Sequence, residues 1–337
     1  MILQKIWYTT FTPDSGLEAI PITIDTNIAR NLSAYLMSRS QNMVIIRTPL
    51  QLILYDTDDK TFRLINSPED ARFAAACIMN GSCYVFVQSI LPSATRLLRY
   101  RLDGDGSAET VFSTLTGISD HKLLENRSPL HIHFLYSNEA DNRLYFMVTP
   151  YSGAFSRDGI WFFNPDTAEQ DRVVSVNDRR QPHRAVFYSH GSFSCEDDGV
   201  IYFNIAGSAQ NDDDYKSHYT IFCTYDTNTK TSKAIAGAAF EHLAQLYDLE
   251  SPWGEENTAI GRFLLHGGRI WISGIPKWIW FQHSKLSDYM ACVDLENYER
   301  TPLLIAPQSL AFMADSKSPG IYSAGVKGIW KITPKTR

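Results

Sequence analysis

Three histidines and one arginine are the residues of this 337-residue chain whose types and spacing best suit chemistry. His131 and His133 stand two apart in "LHIHF", and His190 lies in "YSHGSF". Residues two apart in a regular strand share a face, so the first pair is expected to act together. Imidazole moves protons near neutral pH, and with carboxylates it ligates Zn²⁺, Mn²⁺ or Fe²⁺. Glu256 in "SPWGEEN" would complete a His131, His133, His190, Glu256 ligand set. Three readings stand side by side: a bound divalent ion, metal-free acid–base histidines, and histidines that hydrogen-bond within a core. The cofactor expectation is therefore either none or one divalent metal ion. Arg72 adds a fixed cation able to stabilise developing negative charge.

Aromatic and amide side chains supply the expected substrate contacts. Tyr151 and Phe155 in "PYSGAF", Trp253 in "SPWGEEN", and Trp278, Trp280 and Phe281 in "IPKWIWFQHSKL" fall in segments without strand patterning. Aromatics at such tips cover a pocket or an interface, or else pack against neighbouring elements. Asn31 and Asn257 join this set. Other chemistry lacks its usual signatures, because the chain has neither a GxSxG elbow nor a Walker A sequence. The guanidinium forks of "RRQPHR" (179–184) could bind an anionic group or belong to a solvated loop. "QNDDDYK" (210–216) is the densest acidic run, and no EF-hand spacing follows it.

The elements that must position these residues are legible as a repeat. "LQLILYDTDDKTFRLI" (50–65), "GIWFFNPDTAEQDRVV" (159–174) and "YTIFCTYDTNTKTSKAIAG" (219–237) each read strand, polar turn, strand. A second hairpin precedes each, with tips at Asn42, Asn80-Gly81, Asp141-Asn142, Asp198-Gly199, Gly267-Gly268 and Pro319-Gly320. These residue types tolerate positive φ or preset a turn. Six tips imply six four-stranded antiparallel units, at about 30–66, 70–115, 130–176, 184–236, 258–306 and 308–333. "AAFEHLAQLYDLE" (238–250) is the one helical pattern.

This arrangement resembles six-bladed β-propellers, in a single all-β domain spanning 1–337, and it carries no motif of a particular propeller family. The last unit lacks a fourth strand. An N-terminal strand at 2–9 is expected to supply it and close the ring, with "LEAIPITI" (17–24) as the competing segment. The architecture implies a central channel lined by the first strand of each unit, with the candidate residues at one mouth. The longest connections on that rim are expected at 116–130, 150–158, 177–190, 207–218, 237–258 and 275–288.

Composition sets the outer bounds. The net charge of −6 arises from 31 basic and 37 acidic residues without long blocks, which leaves no footprint for nucleic acid or an anionic membrane. Five cysteines without CxxC, and no apolar h-region near the N-terminus, point to reduced thiols in the cytoplasm. If Asn80-Gly81 makes a two-residue turn, Cys77 faces Tyr84 and Cys83 faces Ile78, so the two thiols do not pair. The expected partner is a small molecule. One functional reading is an enzyme of lactonase-, lyase-, cyclase- or isomerase-like type, using His and Arg at the mouth. The other is a non-catalytic propeller that binds a peptide, glycan or partner protein through its aromatic loops.

Overall fold

The recurring Asp-Thr phrase is a turn that caps itself. Asp56 Oδ1 accepts from the N–H groups of Asp58 and Asp59 at 2.8 and 3.1 Å, and Asp226 Oδ1 does the same for Asn228 and Thr229. Asn164 Oδ1 plays this part for Asp166 and Thr167. Each turn then passes through a left-handed residue, Lys60, Lys230 or Ala168. Thr57 and Thr227 add a tie to the preceding hairpin: N–H and hydroxyl both donate to the tip carbonyl, of Asn42 or Gly199, at 2.8 to 2.9 Å. The phrase thus fastens the third and fourth strands of a unit to its first two.

The computed structural model describes residues 17–22, 36–40, 42–48, 50–89, 94–104, 106–113, 131–149, 159–175, 185–186, 194–209, 218–234, 258–276, 289–294, 309–315, 317–325 and 328–334. Their strands, in chain order, open with β1 (Leu17–Ile22). A first sheet follows: β2 (Leu36–Ser40), β3 (Met43–Arg47), β4 (Gln51–Asp56) and β5 (Phe62–Asn66). The second contains β6 (Ala71–Met79), β7 (Ser82–Ser89), β8 (Ala94–Arg101) and β9 (Ala108–Ser113), and the third β10 (His131–Asn138), β11 (Arg143–Thr149), β12 (Gly159–Phe163) and β13 (Gln170–Ser175). In the fourth, β14 (Ala185–Val186) and β15 (Ser194–Asp197) share the inner side of β16 (Val200–Ala209), followed by β17 (His218–Asp226) and β18 (Thr231–Ala234). The fifth is β19 (Thr258–His266), β20 (Arg269–Pro276) and β21 (Tyr289–Asp294). The sixth joins β22 (Ser309–Ala314), β23 (Ile321–Gly325) and β24 (Gly328–Pro334) to β1.

Strand pairing corrects two expectations. The partner of β24 is β1, registered from Leu17↔Pro334 to Ile22↔Ile329, so "LEAIPI" takes the place expected for the 2–9 segment, which lies outside the described residues. Ile22 also packs against the cluster of Val44, Ile46, Ile53, Tyr55, Met313 and Tyr322. The connection expected at 207–218 is shorter, since β16 runs to Ala209 and β17 starts at His218. The helical pattern expected at 238–250 falls outside the described residues.

The cysteine register holds. Asn80 and Gly81 have φ of 49° and 69°, Cys77 pairs with Tyr84 and Ile78 with Cys83. Cys77 packs with the third sheet and Cys83 with the first; both are buried, and neither is in a disulfide. Burial pushes the Cys83 thiol up to about 12.

Apolar faces of successive sheets meet in turn. Phe73 and Ala76 pack with Ile45, Leu52 and Leu54 of the first sheet, whereas Ala74 and Ala75 pack with Ile132 and Leu135 of the third. Phe134 and Tyr136 pack with Ile201, Phe203 and Tyr225 of the fourth. Turns at the hairpin-tip end add polar ties. Asn80 Nδ2 donates to Asn142 Oδ1 at 3.1 Å, Asn138 Nδ2 to Asn228 Oδ1 at 3.1 Å, and His266 Nε2 to the Ser318 carbonyl at 2.8 Å. Arg63 reaches the Leu102 carbonyl and Lys317 reaches Asp58.

Candidate functional site

The hairpin-tip end is committed to structure. Its most buried polar group is Tyr145, fully enclosed, whose hydroxyl donates to Asp141 Oδ2 at 3.0 Å and accepts from Lys230 Nζ at 2.7 Å. Lys230 also pairs with Asp141, so this cluster clamps the third sheet to the fourth. Burial, and then the Asp141 charge, push the Tyr145 phenol far above its ordinary value, and burial pushes Tyr225 up to about 12. Neither phenol is set up to act as a base near neutral pH.

The opposite end of the innermost strands is built differently. From the hairpin tip, β6 pairs regularly with β7 until Ala75↔Phe86 and then slips, so that the next pair is Phe73↔Val87 and Ala74 is extra. The same one-residue slip separates Arg262↔Ser273 from Ile260↔Gly274 and Ala311↔Ala324 from Ser309↔Gly325, with Gly261 and Leu310 extra. In β10 it falls between Leu135↔Phe146 and Ile132↔Val148. These four slips come after the fourth or fifth pair from the tip, and two further shifts fall between outer strands, at Leu97/Leu98 of β8 and Ile160/Trp161 of β12. In the fourth sheet two strands share this side of β16: Ser194 pairs with Phe203, and Val186 with Ser208. Bulges re-aim side chains and gather next to active sites and rims.

Packing identifies the extra residue of β10. Phe73 and Ala76 lie on one face of β6 with Ala74 and Ala75 on the other; Ile132 and Leu135 share a face of β10 with Phe134 on the other. Matching the two strands, His133 holds the position of Ala74. The register shift falls between Ile132 and Leu135, so His133 stands within it and His131 before it. His131 opens β10 opposite Thr149, at the rim side of the slip. Arg72 lies at the same level on β6, opposite Gln88 and exposed.

One further arginine belongs to this level and was not foreseen. Arg47, at the end of β3, donates from Nη1 to the Phe73 carbonyl at 2.7 Å, which satisfies a backbone acceptor at the slip of the neighbouring sheet. Its only signal in the sequence is a cation closing the apolar run "MVII". The remaining expected site residues, Asn31, Tyr151, Phe155, His190, Trp253, Glu256, Asn257, Trp278, Trp280 and Phe281, lie outside the described residues. Among the described residues no group of three or more His, Cys, Asp or Glu could hold a metal ion, and no helix is long and apolar enough to cross a membrane.

Comparisons with known proteins bear on the fold. No family model and no curated protein matches the chain. Among solved structures it is similar to a luciferin-regenerating enzyme, with a TM-score of 0.52 and 8% identity over 94% of this chain and 95% of that one. The chain is all-β and propeller-like. It is also similar to a structure of the nidogen/laminin complex, at TM-score 0.46 and 9% identity over 83% of this chain and 84% of that chain. A third similar structure is the Neurospora crassa Pan2 WD40 domain, at TM-score 0.42 and 9% identity over 90% and 76%. Likeness at such identities concerns architecture and leaves function to the site.

Proposed function

We propose that the six sheets are the blades of one closed six-bladed propeller, with β1 as its closing strand, and that the chain is an enzyme acting on one small, partly apolar molecule. The site is the channel mouth on the side where the innermost strands begin. His131, His133 and His190 are its acid–base groups, Arg72 stabilises developing negative charge, and the aromatic loops wall the substrate. The histidines, with Glu256, are also the groups that would hold a divalent ion if one takes part. The working compartment is the cytoplasm, and neither nucleic acid nor a membrane is a partner.

The observation that carries this reading is the shared level of the register slips. Regular turns and inter-sheet ties occupy the hairpin-tip end, while toward the other end four of the innermost strands slip after the fourth or fifth pair. That favours one central site over a site on each blade.

The test is metal analysis of the purified protein together with an unbiased search for retained small molecules. It is repeated on His131→Ala, His190→Ala and the loop control His283→Ala, with melting temperatures. The expected result is a ligand or activity lost in the first two variants at unchanged melting temperature, and kept in the control. Full retention in both would overturn the assignment and favour a non-catalytic binding propeller. Histidines that only hydrogen-bond in the core would instead lower stability, by about 1 to 3 kcal/mol per partner left unsatisfied.

A further inference from the structure

Asn80 is the one asparagine of the chain that a glycine follows, and the fold places this pair at the surface. Asn80 and Gly81 form the exposed tip between β6 and β7, both at positive φ. A Cβ added at Gly81 would meet nothing within 4 Å, so the space around its backbone is open. The Gly81 carbonyl is engaged, accepting from the Leu102 N–H at 3.0 Å. The Asn80 side chain is a tie to the third sheet: Nδ2 donates to Asn142 Oδ1 at 3.1 Å, while the Asn80 N–H donates to Glu139 Oε1 at 3.2 Å. Asn142 Nδ2 is spent on Asp166 Oδ2 at 2.8 Å. The tip of the third sheet thus turns acceptors toward Asn80, one of them a carboxylate.

We infer that Asn80-Gly81 is a site of spontaneous covalent modification, whose conversion to aspartate or isoaspartate releases the tie between the second and third sheets. The Gly81 nitrogen adds to the Asn80 side-chain carbonyl carbon and gives its proton to water or hydroxide. The carboxamide nitrogen leaves as ammonia, which closes a five-membered succinimide. Water then opens the ring at either carbonyl. No electron is transferred, and water is the sole co-reactant. Either product replaces a donor by a carboxylate that faces Asn142 Oδ1 and Glu139, so the hydrogen bond is lost and a like-charge contact takes its place. Isoaspartate also adds a methylene to the main chain, which the two-residue turn between Met79 and Ser82 cannot absorb without losing its register.

The test incubates the full-length protein for weeks in mildly alkaline buffer and follows it by peptide mapping, in which each conversion of NH₂ to OH adds about one dalton. Asn80 should convert at least about tenfold faster than Asn142 and Asn228, whose following residues Arg143 and Thr229 carry a Cβ, and Gly81→Ala should slow it by about tenfold. Two further variants separate the new charge from the lost hydrogen bond. Asn80→Gly keeps a residue suited to positive φ and cannot react, whereas Asn80→Asp carries the product's charge. Asn80→Asp should melt at least about 2 °C below Asn80→Gly, with the gap narrowing as salt is raised. An Asn80 that stays intact, that converts no faster than Asn142 or Asn228, or that reacts as fast in Gly81→Ala would overturn the modification. An Asn80→Asp variant that melts with or above Asn80→Gly would overturn the release of the tie.

Discussion

Asp315→Asn is expected to destabilise the sheet that joins the two ends of the chain, and to do so in a pH-dependent way. Asp315 is 3% exposed at the turn after β22. Its Oδ2 accepts from Ser318 Oγ at 2.6 Å and pairs with Lys331 Nζ at 2.7 Å, while Oδ1 accepts from the Lys317 N–H at 3.1 Å. Lys331 lies on β24 between Tyr322 and Ile20, so the pair ties the turn to the strand that receives β1. Breaking a fully buried pair from one side costs about 3 to 5 kcal/mol, but the Lys331 side chain keeps 31% exposure and can rehydrate, which brings the expected loss to about 2 kcal/mol. Burial alone would push the Asp315 carboxyl up. Hydrogen bonds from Lys331, Ser318 and the Lys317 N–H, with the Lys331 charge, outweigh it and hold the carboxyl below the ordinary value. A carboxyl lowered on folding contributes stability that is complete above its unfolded pKa of about 3.9 and is lost as pH falls through the folded value. Urea unfolding followed by tryptophan fluorescence should therefore give a gap of about 2 kcal/mol between wild type and Asp315→Asn at pH 7, little changed at pH 5 and closing below about pH 4. A gap under about 0.5 kcal/mol at pH 7, or one equally large at pH 3, would show that the Asp315 charge does not hold this turn.

Tyr145→Phe should cost about 1 to 3 kcal/mol by the same assay, since it strips Asp141 and Lys230 of a shared buried hydroxyl, and a variant as stable as wild type would remove the clamp between the third and fourth sheets. Deleting residues 1–22 exposes the β24 edge and uncovers the Met313–Tyr322 cluster, so light scattering should report aggregation; a monomer that melts like wild type would contradict a structural part for β1. Thiol titration of the denatured, unreduced protein should count all five cysteines, and two missing thiols would reveal a bridge.

What could be read from the sequence was local chemistry. Asp56, Asn164 and Asp226 announce their turns because one side chain captures N–H groups two and three residues on, and Asn80-Gly81 announces a register that places Cys77 and Cys83 apart. The choice of Leu17–Ile22 over 2–9 as partner of β24 was not readable, because both segments suit a strand and the decision is made by packing against residues some three hundred positions away. The slips left no compositional mark: Ala74, Gly261 and Leu310 have no shared chemistry, and a one-residue insertion changes faces without changing an apolar pattern. Arg47 escaped for a related reason, since its partner is a backbone carbonyl in the next sheet.

The most direct measurement of the central claim is native mass spectrometry of the protein after exposure to a small-molecule extract, with wild type, His133→Ala and His283→Ala compared. One site at the channel mouth predicts one ligand per chain, retained by wild type and His283→Ala and lost by His133→Ala at unchanged melting temperature. Several equivalents per chain, or retention of the ligand by His133→Ala, would contradict it.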